Sequence, residues 1–331
     1  MAAARSNLLR ILRKRLLLAV PLLLTVSLAG FLVMHAAPGD PLARLVLNPN
    51  VRAEDIENLR RAWGLDRPLP EQYLRWLVAY LTGDWGVSLQ SGVPVKELVS
   101  AALPRSLILI GAAFSMALPA SILYGVCTYH RQHVLIRLMQ ASSHVFLAMP
   151  TFVIGLLLIH VFAERLRWLP SAGMYNPRYE PNLIDLLLHL LMPAITLALP
   201  LMAGWGQVFR AVLQKAASEP HVWGARSRGL PPGQVLWRHI MRNAWSPFFT
   251  LTALDVPSLL TGSVIVETLF AWPGLGQLYV QAAAGRDYPL LMAIIMLVAL
   301  VTVLSNTLAD MAGCSLDPRL VDPDVCGRKL Q

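Results

Sequence analysis

Six long apolar stretches constrain the fold of this chain more than any other feature of its sequence. Five of them contain no Lys, Arg, Asp or Glu, and each is longer than the ~20 residues that a helix needs to cross a bilayer. They are residues 16–39, 106–130, 138–163, 186–209 and 288–309, and the sixth, residues 243–270, is apolar apart from two acidic residues. Because lipid offers no hydrogen-bond partners to the backbone, such stretches form helices. The sequence therefore predicts an all-α polytopic membrane protein.

The distribution of charge supports this prediction and orients the chain. Charged residues make up 14% of the 331 residues, whereas a soluble domain carries about 25%. The net charge of +9 would suit nucleic acid, but the basic residues gather at the ends of the apolar stretches, which the positive-inside rule explains better. With the long first loop set aside, 16 Lys and Arg fall on the predicted cytoplasmic side and 4 on the other. We therefore predict membrane lipid, not nucleic acid, as a partner, and cytoplasmic N- and C-termini.

The first apolar stretch is too long for the apolar region of a secretory signal, so we predict an uncleaved first helix. The loop that follows it contains two segments with helical periodicity, residues 53–63 and 70–81, and is predicted to be a small folded cap. The predicted regions are a cytoplasmic N-terminus (1–15), TM1 (16–39), an extracytoplasmic cap (40–104), a domain of TM2–TM6 (105–312) and a cytoplasmic tail (313–331).

The loop between the fourth and fifth crossings, residues 215–242, is basic and structured. No acidic residue occurs from position 221 to position 247, and Gly and Pro residues at 229–233 divide the loop into two short helices. Arg226 and Arg228 could pair with acidic groups of a partner protein or rest on anionic lipid headgroups. The residues alone leave both interpretations open.

Two acidic residues lie inside the fifth crossing, where ionisable side chains are costly and usually face the bundle interior. Asp255 lies deep; it either lines a pathway and attracts a cation, such as a peptide amine or a metal ion, or forms a buried hydrogen bond. Glu267 lies nearer the outer surface. It either contacts substrate or has a structural role, in which it caps a helix or pairs with another side chain. Trp168, Trp205, Trp245 and Trp272 are predicted to anchor helices at the membrane interfaces.

The sequence contains no pattern that predicts catalysis or a metal site. G-x-x-x-x-G-K-[ST], H-E-x-x-H and G-x-S-x-G are all absent. His144 and His160 are ~24 Å apart along a helix and cannot share one metal ion. We therefore assign no catalytic residue, no metal ligand and no cofactor to this chain.

Several ordered blocks resemble the permease subunits of bacterial peptide/nickel ABC importers, the dipeptide and oligopeptide permease family. They include HAAPGDP at 35–41, VETLFAWPGLGQLYVQAAAGRDYPLL at 266–291 and SLDPR at 315–319. The resemblance covers nearly the whole chain. It implies six transmembrane helices of the type I ABC importer permease kind, with a small helical extracytoplasmic cap between helices 1 and 2, in the bacterial inner membrane.

In that family the loop after the fourth crossing carries a coupling helix that docks on a cytoplasmic ATPase. The resemblance assigns this role here to His221, Val222, Trp223, Gly224, Ala225, Arg226, Ser227, Arg228, Gly229 and Leu230. Trp223 and Gly224 stand where the general motif has Glu and Ala. The implied partners are a second homologous permease subunit, two ABC ATPase subunits that bind ATP and Mg, and an extracytoplasmic substrate-binding protein.

The predicted function is therefore one half of the translocation pathway of an ATP-driven importer for peptides, nickel or other small solutes. The alternative is a secondary transporter or channel driven by an ion gradient. That alternative would need inverted repeats or polar rows within the crossings, and the sequence contains neither. Whether the permease pair is a homodimer or a heterodimer is left open.

Overall fold

The computed structural model describes residues 2–36, 54, 66–129 and 134–316, and these residues are almost entirely helical. The helices are α1 (Ala2–Ala36), α2 (Leu69–Thr82), α3 (Val95–Thr128), α4 (Val134–Ala148), α5 (Thr151–Leu158), α6 (Leu183–Ala217), α7 (Pro220–Ser227), α8 (Met241–Leu254), α9 (Val256–Leu269), α10 (Leu275–Gly285) and α11 (Tyr288–Leu316). A π-helical turn, Ile159–Arg165, continues α5, and another, Val235–Ile240, leads into α8 after a short helical turn at Pro232–Gln234.

Four helical segments are long and apolar enough to cross a membrane alone: Arg15–Ala36, Val95–Thr128, Leu183–Ala217 and Tyr288–Met311. Two bent helix pairs pass the same test together, which raises the number of candidate crossings to six. The prediction of an all-α polytopic protein is confirmed. The predicted boundaries of the cap, the crossings and the tail stay predictions, and the cap helix at 53–63 and the tail from 317 onward lie outside the described residues, apart from position 54.

Two of the predicted crossings are broken and do not form single helices. Ile136–Ala148 and Thr151–Arg165 meet at 108°, and Pro232–Leu254 and Ser258–Leu269 meet at 56°. The first break lies at Pro150, whose ψ of 139° is extended and whose ring disfavours the helical conformation of the preceding residue. Pro193 and Pro200, by contrast, remain inside the continuous helix α6. Proline alone therefore did not reveal which crossing breaks.

Helices α3 and α6 lie side by side at the centre of the bundle and contribute many of its buried apolar side chains. Their close approach depends on one glycine from each helix. A Cβ atom on Gly125 would lie 2.6 Å from a ring carbon of Phe209, and a Cβ atom on Gly206 would lie 2.6 Å from a ring carbon of Tyr124. Each glycine thus receives an aromatic ring from the other helix, as small residues do at helix contacts within membranes.

We expect Gly125→Val to destabilise the bundle by about 1–3 kcal/mol, because the added side chain must displace the α6 ring or the α6 backbone. Gly111→Val is a matched control, since Gly111 lies on the same helix and a Cβ there meets nothing within 4 Å. Thermal unfolding of both variants in detergent, followed by tryptophan fluorescence, measures the difference. Equal midpoints for the two variants would contradict the close approach.

The end of the bundle that contains α2 and α10, here called the α2 end, is held by aromatic contacts and hydrogen bonds. Tyr73 of α2 shares a 2.9 Å hydrogen bond with Ser27 of α1, and its ring packs edge-on against Phe31. The predicted cap helix at 70–81 is therefore present and packs on the bundle. Asp287, which is fully buried, accepts a hydrogen bond from Ser88 and so joins the loop before α3 to the start of α11.

Candidate functional site: the α7 segment and two carboxylates

The α7 segment, residues 220–230, folds as one short helix with defined ends. Pro220 occupies the first helical turn, where its missing N–H costs no hydrogen bond. Gly229 ends the segment with a φ of +75°, a left-handed conformation that favours glycine, and its N–H donates to the carbonyl of Arg226 at 2.9 Å. The Gly and Pro residues at 229–233 thus separate α7 from the next turn, as the sequence predicted.

The α7 segment has one buried face and one exposed face. Val222 and Ala225 are fully buried and belong to the main core together with Val235 and Ile240 of the following π-helical turn, and Leu230 packs against the same core. The other predicted docking residues are all exposed: His221, Trp223, Gly224, Arg226, Ser227, Arg228 and Gly229. The structure therefore divides the ten predicted residues into an apolar anchor and a polar, basic outer surface.

The outer surface combines an exposed aromatic ring with basic charge. The Trp223 side chain is 65% exposed and presents its apolar area to the surroundings. A Cβ on Gly224 would meet nothing within 4 Å, so a partner can approach the α7 backbone there. Arg228 donates to the carbonyl of Gly224 at 3.0 Å, which holds its guanidinium along the same face.

A polar link joins α7 to α8, and the sequence did not reveal it. The amide of Asn243 donates to His221 Nε2 at 2.9 Å, and the other ring nitrogen of His221 lies 3.2 Å from a carboxylate oxygen of Glu219. His221 and Asn243 are 22 positions apart in the sequence, so no local pattern could indicate their contact. Together with the Val222 and Ala225 anchor, this link connects α7 to the start of α8.

At the opposite end of the bundle, the Glu267 carboxylate is completely buried and accepts four hydrogen bonds. Ser106 and Ser263 donate to Oε1 at 2.7 and 3.1 Å. The N–H groups of Gly276 and Gln277 donate to Oε2 at 2.7 and 3.2 Å. Glu267 thus binds the N-terminal turn of α10, where a negative charge is favourable. It connects α3, α9 and α10 at one point.

The loop between α9 and α10 closes tightly around this carboxylate. A Cβ on Gly274 would lie 2.4 Å from Oε2 of Glu267, and one on Gly276 would lie 2.5 Å from the Cα of Val264. Trp272 is fully buried, and its indole N–H donates to the carbonyl of Arg105 at 2.9 Å. The anchoring role predicted for Trp272 is therefore wrong, because an anchor is exposed and this ring fills the core beneath the loop. The closely spaced Pro273, Gly274 and Gly276 were the feature of the sequence that could have indicated this tight loop.

Asp255 lies at the break between α8 and α9, and its side chain is exposed. Its carboxylate accepts a 2.7 Å hydrogen bond from the indole N–H of Trp205 on α6. Trp205 is almost completely buried, so its predicted role as an exposed anchor is also wrong. The structure does not bring Asp255 and Glu267 together, since the second lies near the other end of α9. Their predicted pathway roles stay predictions.

Within residues 2–36, 54, 66–129 and 134–316, no group of three or more His, Cys, Asp or Glu side chains could hold a metal ion. The His160 ring contacts only Glu164 among such residues, at 2.8 Å and on an exposed surface. The geometry of this part of the chain is that of a helical bundle with an exposed basic surface on the α7 segment.

Residues 99–322 match the family described as binding-protein-dependent transport system inner membrane component, and residues 8–106 match its N-terminal companion family. The chain belongs to this family. It is 38% identical over 309 residues to the oligopeptide transport system permease protein AppB of Bacillus subtilis, covering 93% of this chain and 98% of that one. It is 33% identical over 308 residues to the glutathione transport system permease protein GsiC of Escherichia coli K12, covering 93% and 97%. The resemblance noted in the sequence is confirmed.

Solved structures agree with the family at the level of fold. An amino acid ABC transporter chain matches with a TM-score of 0.51 at 17% identity, covering 67% of this chain and 95% of that one. A chain of the inward-facing MetNI methionine ABC transporter matches with a TM-score of 0.50 at 17% identity, covering 68% and 98%. This membrane component is therefore a polytopic helical transport subunit with the fold of ABC importer permeases.

Proposed function

We propose that this chain forms one half of the translocation pathway of an ATP-driven importer for peptides. The observation that supports it best is the similarity over nearly the whole chain to permeases named for oligopeptide and glutathione transport. Glutathione is itself a small peptide, so both relatives handle solutes of one chemical class. Nickel and other small solutes are the alternative substrates, and a transport assay distinguishes them from peptides.

The α7 segment is proposed to be the surface that binds the ATPase. Its outer face combines the exposed Trp223 with Arg226 and Arg228, whose guanidinium groups suit acidic side chains of a protein partner. On this proposal α7 and both chain termini lie in the cytoplasm. The positive-inside distribution of Lys and Arg supports the same orientation.

The anchor of α7 suggests how a push on it reaches the membrane. Val222 and Ala225 are packed against Val235 and Ile240, which lead directly into α8, and Asn243 of α8 binds His221. A rigid displacement of α7 is therefore expected to move α8 up to its end at Leu254. The 56° break beyond this point lets α8 move relative to α9, whose outer end is bound to α10 through Glu267.

The other components are proposed from the family and from what this sequence lacks. No phosphate-binding loop occurs in the chain, so ATP and Mg are assigned to two ABC ATPase subunits. One chain with up to six crossings supplies half of a two-fold pathway, and a second homologous permease subunit supplies the other half. The α2 end then faces an extracytoplasmic substrate-binding protein that delivers the solute.

Reconstitution tests the proposal. The chain is purified together with its co-expressed permease and ATPase partners and placed in liposomes, and uptake of radiolabelled tri-alanine is measured with its binding protein. We expect accumulation that requires MgATP and stops with ADP. Accumulation driven by a proton or sodium gradient without nucleotide would instead establish the gradient-driven alternative.

A further inference from the structure

A carboxylate at the position of Asp255 is energetically unfavourable unless a polar or positively charged group compensates its charge. Asp255 lies 12 residues from Asn243 at one end of the fifth predicted crossing, which is ~18 Å along a helix. That distance places it near the middle of a hydrocarbon core about 30 Å thick. A carboxylate at this depth does not face lipid; it faces protein or water.

The carboxylate is held in place but its charge is not neutralised within the described residues. Trp205 donates to Oδ2 at 2.7 Å, and its ring is itself fixed edge-on against Phe114 at 5.2 Å. No Lys, Arg or His among the described residues forms an ion pair with Asp255. A neutral N–H donor orients the group and leaves its negative charge available.

Small residues follow Asp255 directly on the exposed face of α9. Ser258 and Gly262 stand there at helical spacing, between the exposed apolar side chains of Leu251 on α8 and Ile265 farther along α9. Ser258 donates to the carbonyl of Asp255 at 2.6 Å, so the backbone at the break is fixed as well. The C-terminal end of α8 and the N-terminal end of α9 meet at Asp255, so the opposite partial charges of the two helix ends lie side by side there.

We propose that Asp255 is a specificity-determining residue that binds the protonated amine of the solute as it passes through the membrane. The inference rests on the proposed function, because a peptide supplies such an amine at its N-terminus. A fixed carboxylate at mid-depth, with a neutral donor on one side and small residues beside it, compensates a positive charge that the membrane interior would otherwise exclude.

The test compares two solutes in the reconstituted transporter: tri-alanine, which has a free amine, and N-acetyl tri-alanine, which has none. Both are supplied at concentrations that saturate the binding protein, so that differences between variants report on the permease. Asp255→Asn keeps the size and the bond from Trp205 but removes the charge. It is expected to reduce uptake of tri-alanine at least about tenfold and to leave N-acetyl tri-alanine unchanged.

Two further variants separate charge from structure. Asp255→Glu is expected to retain most of the preference for the free amine, since it retains the carboxylate. Glu164→Gln removes an exposed carboxylate on the π-helical turn after α5, far from the break, and is expected to leave both uptakes unchanged. Equal loss of both solutes in Asp255→Asn, or no loss of either, would overturn the inference while ATP-driven uptake by the unaltered complex still supports the proposed function. Absence of ATP-driven uptake by the unaltered complex would reject both.

A second measurement does not depend on transport. In a background with Cys127, Cys314 and Cys326 replaced by serine, Asp255→Cys is treated with a water-soluble methanethiosulfonate reagent. We expect modification much faster than that of a lipid-facing position, because a residue that lines the pathway faces water. Modification as slow as that of Leu157→Cys, an exposed apolar position on α5, would show that position 255 does not face an aqueous pathway and would overturn the inference.

Discussion

Replacement of Glu267 by alanine is expected to destabilise the α2 end of the bundle by at least about 3 kcal/mol. The change leaves the buried N–H of Gly276 and the partly buried N–H of Gln277 without an acceptor, and an unsatisfied buried donor costs about 1–3 kcal/mol. The hydroxyl groups of Ser106 and Ser263 lose an acceptor as well. Thermal unfolding in detergent and the yield of monodisperse protein measure the loss.

Glu267→Gln is the informative companion variant. Its amide oxygen can still accept from the two backbone N–H groups, and its NH₂ can donate to the two serine hydroxyls, which rotate to accept. We therefore expect most of the stability to return. Glu164→Ala removes an exposed glutamate and is expected to change stability little. If Glu267→Ala instead folds normally and loses only uptake, the carboxylate serves the pathway and its capping role is secondary.

Reversal of the charge on Arg226 is expected to weaken binding of the ATPase at least about tenfold and to abolish most ATP-driven uptake. Arg226 lies on the exposed face of α7, next to the buried Ala225, so Arg226→Glu changes the docking surface and leaves the anchor in place. A like charge facing acidic partner groups costs affinity and slows association. Co-purification of the ATPase with the variant, together with uptake in liposomes, measures the effect.

Arg137→Glu is the matched control for this charge reversal, because Arg137 is also exposed but lies on α4, outside the α7 segment. It is expected to co-purify with the ATPase as the unaltered chain does. The outer surface of α7 would lose its proposed role if Arg226→Glu retained both the ATPase and the uptake. It would equally lose that role if the two variants weakened association to the same degree.

Much of the architecture could be predicted because membrane insertion is governed by local composition. A charge-free stretch longer than ~20 residues predicts a helix regardless of its neighbours, and α1, α3, α6 and α11 all occur where such stretches are. The short α7 helix was predictable for a similar reason, since Pro220 and Gly229 fix its ends through backbone conformation alone.

The positions of individual polar groups were not predictable in this way. Trp205 and Trp272 have the amphipathic side chain that is typical of interfacial anchors. Each nevertheless donates an indole hydrogen bond from a buried position, Trp205 to the Asp255 carboxylate and Trp272 to the Arg105 carbonyl. Those partners are 50 and 167 positions away in the chain. Amphipathic side chains suit either environment, so only the packing of neighbouring helices decides between them.

The sequence by itself determined that this chain enters a membrane as helices and that a break after Ser227 ends its short basic helix, and its charges predict an orientation. Each of these depends on the transfer of a segment from water to lipid or on the conformation of single residues. Only the tertiary structure decided that Val222 and Ala225 anchor α7, that Glu267 holds the start of α10 and that Asp255 stands at a helix break with its charge unpaired among the described residues. These features arise from contacts between distant segments, whose free energy depends on geometry that no local pattern encodes.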